Sequence, residues 1–286
     1  SVIMLKITSE LLHLIDLALA EDLTDQDITT DALIESDLYG EATILSKSYG
    51  ILAGMSVCSA VFHRVESALA ITPLDKDGAG LIPGHPVAKI CGPMGSILRA
   101  ERTAINFLQR MSAIATVTSS YVEAVQGLPV KIVDTRKTLP GHRTLDKYAV
   151  RVGGGHNHRI NLASGILIKD NHIAVLRSNG RTIGDAVRLS VAHAAHTLKV
   201  EVEVESMEDA LSALESGAHI LLLDNMNLQT MKAIVELAHG CVITEASGGV
   251  NLESVRSIAE TGVDLISVGA ITHSVSAIDM SLEVQG

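Results

Sequence analysis

The sequence predicts an α/β protein in which a small α+β unit precedes a parallel barrel or a doubly wound sheet. From residue 129 onward, apolar β-branched segments alternate with helical segments at a spacing of about one βα unit. Aromatic residues make up only 2% of the 286 residues, so Leu, Ile, Val and Ala must fill the core, as in parallel sheets covered on both faces. Before residue 115 the segments are shorter and are interrupted by Gly and Pro.

The N-terminal part predicts one amphipathic helix, several short strands and one long helix. Leu11, Ile15 and Leu19 recur at helical spacing after Ser9, which we expect to be the N-cap. Strand candidates follow in GEATILSKSYGILAG, ALAITPLDKDG and HPVAKICGP. Apolar residues at helical spacing then predict a long helix over about 100–125.

The C-terminal part predicts six strands and at least four crossover helices. The strand candidates are VKIVDT, GILIKD, KVEVEV, HILLLDN, CVITEA and DLISVG. The helix candidates are GDAVRLSVAHAAH, MEDALSALESG, LQTMKAIVELAHG and LESVRSIAETG. This alternation indicates parallel strands, but six strands do not ensure a closed eight-stranded barrel.

Charge is distributed unevenly along the chain. The formal net charge of -11 gives no general argument for nucleic-acid binding, and the low aromatic content disfavours base stacking. Residues 131–169 nevertheless contain eight Lys and Arg against two Asp, a net charge of +6 that leaves -17 for the rest of the chain. Because Arg binds carboxylates and phosphates bidentately, this segment predicts a small ligand with at least two negative charges.

The cysteines and the apolar segments exclude several classes of protein. Cys58, Cys91 and Cys241 are widely separated and form no CxxC motif, so we expect neither a disulfide framework nor a thiolate zinc site. No apolar segment approaches the ~20 residues of a membrane span, and the N-terminal segment lacks the pattern of a secretory signal. We therefore expect a cytoplasmic protein with no membrane partner.

Polar residues follow the predicted strands at the edge where a βα barrel carries its active site. They are Arg136, Lys137, Lys169, Asp170, Glu203, Asp224, Glu245, Ser247 and Gly269. Glu203 and Asp224 end neighbouring strands and could bind a hard cation through water, or could bind sugar hydroxyls. In VEVEV we expect the valines to face a core and the glutamates to face the barrel interior or mouth.

Two glycine-containing turns favour a phosphate site late in the barrel. Ser247 to Gly249 and Ser267 to Ala270 follow consecutive strands, where backbone N–H groups commonly bind phosphate. The histidines of the basic segment lack the spacing of a zinc motif, so binding of an anionic ligand or packing is favoured over metal ligation. These histidines are His142, His156, His158 and His172.

Several long motifs together resemble the quinolinate phosphoribosyltransferase family. They are ERTAINFLQRMSAIAT, DTRKTLPG, KYAVRVGGGHNHR, LIKDNHI, VEVEV, LLLDN, EASGG and SVGAITHS. The resemblance implies an incomplete parallel α/β barrel over 116–274 and an N-terminal sandwich domain over 1–115 that is completed by 275–286. It also implies that quinolinate and 5-phosphoribosyl 1-diphosphate react with Mg²⁺ to give nicotinate mononucleotide, diphosphate and CO₂.

The resemblance also implies roles for individual residues. Lys137, Lys169, Glu203 and Asp224 match the family's catalytic positions, and the same two carboxylates match its acidic pair near the ribose and the metal-bound diphosphate. The remaining substrate-binding positions are Arg102, Thr135, Arg136, His158, Arg159, Ser247, Gly248, Gly249, Ser267, Val268 and Gly269. In the family, the arginine that matches Arg102 enters the partner's site, which implies a homodimer.

Two other functions are compatible with parts of the pattern. A Schiff-base aldolase or decarboxylase could use Lys169 as its nucleophile, because a lysine at a strand end can be activated by desolvation. A non-catalytic protein that binds phosphorylated metabolites would need the same cationic groups. The group of Arg136, Lys137, Arg159 and Lys169 fits a ligand with several negative charges better than it fits an aldolase.

Overall fold

The structure is a computed structural model that describes residues 4–23, 26–238 and 240–285. The chain forms two compact units. The first comprises Ser1–Ser119, Leu139–Gly154 and Ser274–Gly286, and the second comprises Ser120–Thr138 and Gly155–His273. The domain boundaries that we predict after residues 115 and 274 stay a prediction. Within the described ranges, no helix is both long and apolar enough to span a membrane.

The helices and strands are numbered in chain order. The helices are α1 (Ser9–Asp22), α2 (Ile28–Leu33), α3 (Met55–Val65), α4 (Met94–Ala124), α5 (Arg143–Val152), α6 (Asp170–Ser178), α7 (Ile183–His193), α8 (Met207–Glu215), α9 (Leu228–Ala238), α10 (Val255–Ala259) and α11 (Ala270–His273). The strands are β1 (Tyr39–Ser46), β2 (Gly50–Ile51), β3 (Ala70–Pro73), β4 (Gly80–Leu81), β5 (Pro86–Pro93), β6 (Lys131–Val133), β7 (Ile166–Ile168), β8 (Val200–Val204), β9 (Ile220–Asp224), β10 (Ile243–Ser247), β11 (Leu265–Ser267) and β12 (Met280–Val284).

The first unit contains a four-stranded antiparallel sheet with the order β12-β1-β5-β3. The C-terminal strand β12 pairs with β1 from Ala42 opposite Val284 to Ser46 opposite Met280. Ile44 and Ile90 of this sheet are fully buried. The C-terminal tail therefore completes the N-terminal sheet, which confirms that part of the predicted fold.

The first helix has its predicted buried face but a different N-cap. Leu11, Ile15 and Leu19 are buried, as the helical spacing predicts. The prediction that Ser9 is the N-cap is wrong, since Ser9 is the first helical residue. Thr8 has an extended backbone, and its hydroxyl accepts a hydrogen bond from the N–H of Leu11, which would otherwise lack a partner within the helix.

The second unit contains a six-stranded parallel sheet in which all six predicted strands are present. Its order is β6-β11-β10-β9-β8-β7, and the described strands of its two edges, β6 and β7, do not pair with each other. The predicted crossover helices are α7, α8, α9 and the short α10. The structure describes α9 up to Ala238, and His239, part of its predicted C-terminal end, lies outside the described residues. These elements confirm an incomplete parallel α/β barrel.

Strand β8 places valine and glutamate on opposite faces. Val200, Val202 and Val204 are buried, whereas Glu201 and Glu203 alternate with them and therefore share the other face. Glu203 lines a cavity at the carboxyl ends of the strands, and Glu201 lines a cavity at their amino ends. The expectation that the glutamates face the barrel interior or mouth is therefore confirmed for this pair.

Candidate active site

A cavity of about 240 Å³ lies at the carboxyl ends of the parallel strands. It is lined by residues that belong to or follow all six strands, because parallel strands bring their carboxyl ends to one edge of a sheet. Its positively charged residues are Arg136, Lys137, Arg159 and Lys169. Its acidic residues are Asp170, Glu203, Asp224 and Glu245. The polar residues Thr135, His158, Ser247 and Ser267 complete this set.

The cationic side is formed by two loops and the end of one strand. Arg136 and Lys137 follow β6, Lys169 follows β7, and Arg159 lies in the loop that connects α5 to β7. The Oγ1 atom of Thr135 accepts a hydrogen bond from the N–H of Lys137 at 3.0 Å, which orders the backbone after β6. Half of the eight basic residues in 131–169 therefore line this cavity.

Arg159 is held against the barrel and lies close to a second positive charge. Its Nη1 atom donates a hydrogen bond to the carbonyl oxygen of Gly165 at 3.0 Å. Burial lowers the pKa of Arg159, and the nearby charge of Arg136 lowers it further. Because the two like charges repel each other, binding of an anion between them would be favourable.

The acidic side combines two carboxylates from neighbouring strands. Burial raises the pKa of Glu203, and the negative charges of Asp224 and then Asp170 raise it further. The Oδ2 atom of Asp224 accepts a hydrogen bond from the Nδ2 atom of Asn225 at 2.7 Å. Since three carboxyl groups lie together here, the acidic side favours a cation or a ligand with positive charge or hydroxyl donors.

Asp134 fixes the loop that contains His158. One oxygen of the fully buried Asp134 accepts a hydrogen bond from Asn157 Nδ2 at 2.6 Å, and the other accepts one from the His158 N–H at 2.8 Å. His156 forms a bridge with Val133, which extends the loop beside β6. A charged group at the end of β6 thus positions a loop about 20 residues further along the chain.

Both ring nitrogens of His158 are directed to protein groups. Its Nδ1 atom accepts a hydrogen bond from the Arg159 N–H at 2.8 Å, so the proton of the neutral ring must be on Nε2. The Nε2 atom lies 3.1 Å from an oxygen of Glu201 and 3.5 Å from an oxygen of Glu245. The ring therefore points into the barrel rather than presenting a free nitrogen to a ligand.

The side chains of His158, Glu201 and Glu245 form the one group of described residues whose ligand atoms are close enough to hold a metal ion. A metal-bound histidine usually donates its second ring N–H to an acceptor, whereas here Nδ1 is itself the acceptor of an N–H. The geometry consequently favours a proton on Nε2 of His158, between the carboxyl groups of Glu201 and Glu245. The position of the Nδ1 atom of His158 therefore argues against metal ligation by its ring.

The turn after β10 brings the backbone very close to a neighbouring residue. Gly248 and Gly249 have φ values of +95° and +59°, and a Cβ atom on Gly248 would lie 2.3 Å from the side-chain oxygen of Asn225. Ser247, just before this turn, lines the cavity. The glycines therefore allow this turn to form beside the candidate phosphate site.

The turn after β11 is also constrained. The N–H of Val268 donates to the carbonyl oxygen of Val133 at 3.0 Å, so Val268 continues the pairing of β11 with β6. A Cβ atom on Gly269 would lie 3.1 Å from both His273 and Lys137. Of the three predicted residues in this turn, Ser267 alone is part of the cavity lining.

The positions of Arg102 and Glu245 in the structure bear on the site predicted from the sequence. Arg102 lies on α4 in the first unit and is exposed, so its predicted role depends on a partner. The sequence places Glu245 among the polar residues at the strand ends but assigns it no individual role, although it precedes Ser247 by two residues and therefore shares its face of β10. The two-residue periodicity of the strand is the signal that indicates a role for Glu245 in the same cavity as Ser247.

Comparison with known proteins identifies the family. Residues 27–112 match the N-terminal domain of quinolinate phosphoribosyl transferase, and residues 114–283 match its C-terminal domain. The chain is 42% identical over 273 residues to nicotinate-nucleotide pyrophosphorylase [carboxylating] of Mycobacterium leprae, with 93% of this chain and 94% of that protein covered. It is 40% identical over 263 residues to the probable enzyme of the same name from Bacillus subtilis, covering 91% of this chain and 90% of that protein.

A solved structure supports the same relationship. The nicotinate-nucleotide pyrophosphorylase of Francisella tularensis superimposes with a TM-score of 0.91 and 38% sequence identity, and 98% of each chain is covered. Both domains, their order and most of the chain length are therefore shared with these relatives. This chain belongs to the quinolinate phosphoribosyltransferase family.

Proposed function

We propose that the cavity at the carboxyl ends of the parallel strands binds quinolinate and 5-phosphoribosyl 1-diphosphate for the reaction of the family. The enzyme is a decarboxylating pentosyltransferase of NAD biosynthesis. Its products are nicotinate mononucleotide, diphosphate and CO₂. The observation that carries the assignment to this cavity is the placement of four cationic residues opposite Glu203 and Asp224.

Quinolinate is bound by the cationic side of the cavity. It is a pyridine with two adjacent carboxylates, and Arg136 and Arg159 provide two guanidinium groups whose repulsion a dianion relieves. Lys169 adds a third positive charge that can move with the ligand. Binding of both carboxylates orients the ring nitrogen of quinolinate toward the ribose.

The acidic side stabilises the transfer of the ribosyl group. As the bond to diphosphate breaks, the ribose carbon becomes oxocarbenium-like and gains positive charge. Glu203 and Asp224 supply negative charge from two rigid strands, so they stabilise this state without reorganisation. Lys137 stabilises the departing diphosphate, and the turns at Ser247 to Gly249 and Ser267 to Gly269 bind the 5-phosphate.

Mg²⁺ is the proposed cofactor, and the residues present fit it. The two carboxylates offer the hard oxygen ligands that Mg²⁺ prefers. Burial first, and then the negative charges of Asp224 and Asp170, raise the pKa of Glu203, and a cation would balance these charges. Glu203 and Asp224 would hold the ion mostly through water and the substrate diphosphate. Bound there, Mg²⁺ supplies charge neutralisation of the diphosphate.

Decarboxylation follows transfer of the ribosyl group. Once the ring nitrogen is ribosylated it is positively charged, and it stabilises the electron pair that remains on the adjacent carbon when CO₂ leaves. The same cavity therefore serves both steps, because the substrate does not need to move between them.

The protein acts as a homodimer in a reducing compartment. The dimer would bring Arg102 of one subunit to the active site of the other, in keeping with its exposure on α4. The three cysteines are free, which suits the cytoplasm that the sequence predicts.

An assay of the purified protein tests this function. We expect release of CO₂ and formation of nicotinate mononucleotide only when quinolinate, 5-phosphoribosyl 1-diphosphate and Mg²⁺ are all present. Borohydride trapping of a carbonyl substrate on Lys169 would support the Schiff-base alternative, although the exposure of Lys169 argues against activation by desolvation. Saturable binding of both substrates without products would indicate a binding protein.

A further inference from the structure

A second cavity, of about 500 Å³, lies at the amino ends of the same parallel strands. It is lined by the first residues of four strands, Lys131, Ile166, Ile220 and Leu265. Lys131 and His156 are both exposed and both line it, so the cavity opens to solvent. We refer to it as the amino-end cavity, and to the candidate active site as the carboxyl-end cavity.

Glu245 stands between the two cavities. His158, Arg159 and Glu245 line both of them, whereas Glu201 lines the amino-end cavity alone. Glu245 is only 1% exposed, and its buried Oε2 atom has no hydrogen-bond partner, although it lies 3.5 Å from Nε2 of His158. A carboxyl group between a substrate cavity and a solvent-connected cavity can exchange protons with both.

The surroundings of Glu245 favour its neutral, protonated form. Burial raises the pKa of Glu245 to about 7, and the negative charge of Glu201 on β8 contributes next. Asp134, after β6, acts in the same direction, while His158 and a hydrogen bond from Ser267 on β11 oppose it. The ligand atoms of Glu245, Glu201 and His158 lie within 4.8 Å of one another, so the carboxyl groups cannot both ionise without mutual repulsion.

The decarboxylation requires a proton donor. When CO₂ leaves, an electron pair remains on the ring carbon, and nicotinate mononucleotide has a hydrogen there. Lys137 and Lys169 already have roles in binding the anionic groups of the two substrates, so the donor is sought among the other residues of the cavity. A carboxylic acid that titrates close to neutrality is better matched to the task.

We propose that Glu245 is the general acid that protonates the ring carbon after CO₂ leaves. The O–H bond of Glu245 breaks, its electron pair stays on the carboxylate, and a C–H bond forms with the electron pair of the ring carbon. The carboxylate then regains a proton from solvent through the amino-end cavity, beside Glu201 and His158. This inference rests on the proposed function and assigns a residue to its last chemical step.

Steady-state kinetics and a single-turnover experiment with Glu245→Gln together test the inference. Gln has nearly the same shape but no transferable proton, so we expect kcat to fall by roughly 10²- to 10⁴-fold, with KM for both substrates within about threefold of the wild type. Diphosphate should appear before CO₂ in this variant, because a ring carbanion that is not protonated recombines with CO₂. Equal rates of diphosphate and CO₂ formation at near-wild-type kcat would overturn the proposal.

Chemical rescue separates proton donation from a structural role. Glu245→Ala leaves space beside the amino-end cavity. Formate at pH 6 should raise the residual rate of this variant at least tenfold without changing its melting temperature. Glu236→Gln, the same change on the exposed face of α9, should match the wild type and serves as the control. Rescue of activity by Gln but not by formate would mean that Glu245 only supports the fold. Wild-type turnover tests the proposed function independently.

Discussion

Arg159 combines a structural hydrogen bond with a charge available to the ligand. Its guanidinium donates to Gly165 and retains further N–H groups, whereas a lysine cannot reproduce this planar arrangement. For Arg159→Lys we expect KM for quinolinate to rise roughly 10- to 100-fold, as for loss of a charged hydrogen bond, with a much smaller change for 5-phosphoribosyl 1-diphosphate. Steady-state kinetics with each substrate varied in turn would measure this.

The control for Arg159→Lys is the same substitution at an exposed ion pair. Arg177 on α6 pairs with Asp209 at 3.1 Å and has a side chain that is 58% exposed, so Arg177→Lys should leave both KM values unchanged. An equal increase of both KM values in Arg159→Lys would show that Arg159 does not discriminate between the substrates.

Gly248 is required by both its backbone conformation and its surroundings. An alanine Cβ would lie 2.3 Å from the side chain of Asn225 and 2.8 Å from its backbone nitrogen, at a φ of +95°. For Gly248→Ala we therefore expect displacement of the turn and an increase of tenfold or more in KM for 5-phosphoribosyl 1-diphosphate. Gly249→Ala is a matched comparison, since it also has positive φ but no atom within 4 Å of the added Cβ. Its effect should be limited to backbone strain of about 1 kcal/mol.

The raised pKa of Glu245 makes the stability of the protein dependent on pH. The folded state holds this proton up to about pH 7, whereas an unfolded glutamate releases it near 4.5. Its contribution to the free energy of unfolding is therefore fully present below about pH 4.5 and is lost as the pH rises to about 7. Glu245→Gln removes this titration, so the melting temperature of the variant relative to the wild type should increase between pH 5 and pH 8. A constant difference across this range would contradict the assignment.

The sequence predicts the positions of residues at the ends of strands better than the contacts of residues in the barrel interior. Glu203 and Asp224 are the last polar residues of apolar strands, so their position at the carboxyl ends follows from the sequence alone. Glu245 and Asp134 act through the packing of the barrel interior, where contacts come from other strands and from the loop that contains His158. Such contacts depend on sheet order and register, which single-strand patterns do not contain.

Helix α5 is an element that the hydrophobic pattern does not reveal. It lies in the middle of the basic segment, yet its residues 145–150 are all buried, including Asp146 and Lys147. Arg110 on α4 forms a bidentate hydrogen-bonded pair with Asp146 at 3.2 and 2.9 Å, which stabilises the buried charge. The charge pattern therefore predicts a ligand-binding segment, whereas part of that segment forms a packed helix.

The close approach of α4 and α5 depends on Gly153. A Cβ atom at this position would lie 2.3 Å from the carbonyl oxygen of Ala115 and 2.8 Å from the Cβ atom of Thr118. Since the φ of Gly153 is -73°, alanine causes no backbone strain there, and the whole effect comes from overpacking. We expect Gly153→Ala to lower the free energy of unfolding by about 1–3 kcal/mol, as measured by urea denaturation.

Gly80→Ala provides the control for this contact. Gly80 lies in β4 of the same unit, and a Cβ atom there would meet no atom within 4 Å. Its free energy of unfolding should stay within about 0.5 kcal/mol of the wild type. Similar destabilisation by both substitutions would indicate a general cost of replacing glycine rather than a specific contact between helices.

Over the whole molecule, net charge describes solubility better than ligand preference. The chain carries -11, and the basic segment carries +6, but its eight positive charges do not act together. Arg136, Lys137, Arg159 and Lys169 line the carboxyl-end cavity, whereas Arg143, Lys147 and Arg151 belong to α5 in the other unit. Local charge therefore indicates the segment, while the fold determines which of its charged residues line the cavity.

The proposed dimer makes each active site dependent on two chains. Lys169 belongs to the chain that forms the cavity, and Arg102 would come from the partner. Arg102→Ala and Lys169→Ala should each reduce kcat/KM by at least 100-fold, since each removes a charge that binds an anionic substrate. A mixture of the two variants distinguishes contribution in trans from contribution in cis.

A hybrid dimer contains one site that lacks both side chains and one site that retains both. Random exchange of equal amounts makes about half of the dimers hybrid, so about a quarter of the wild-type activity should return. Native mass spectrometry of differently tagged chains would measure the extent of exchange, and unmixed variants treated in the same way are the control. If Arg102 acted within its own chain, both sites of the hybrid would lack one group. Full exchange with no recovery of activity would therefore exclude the shared site.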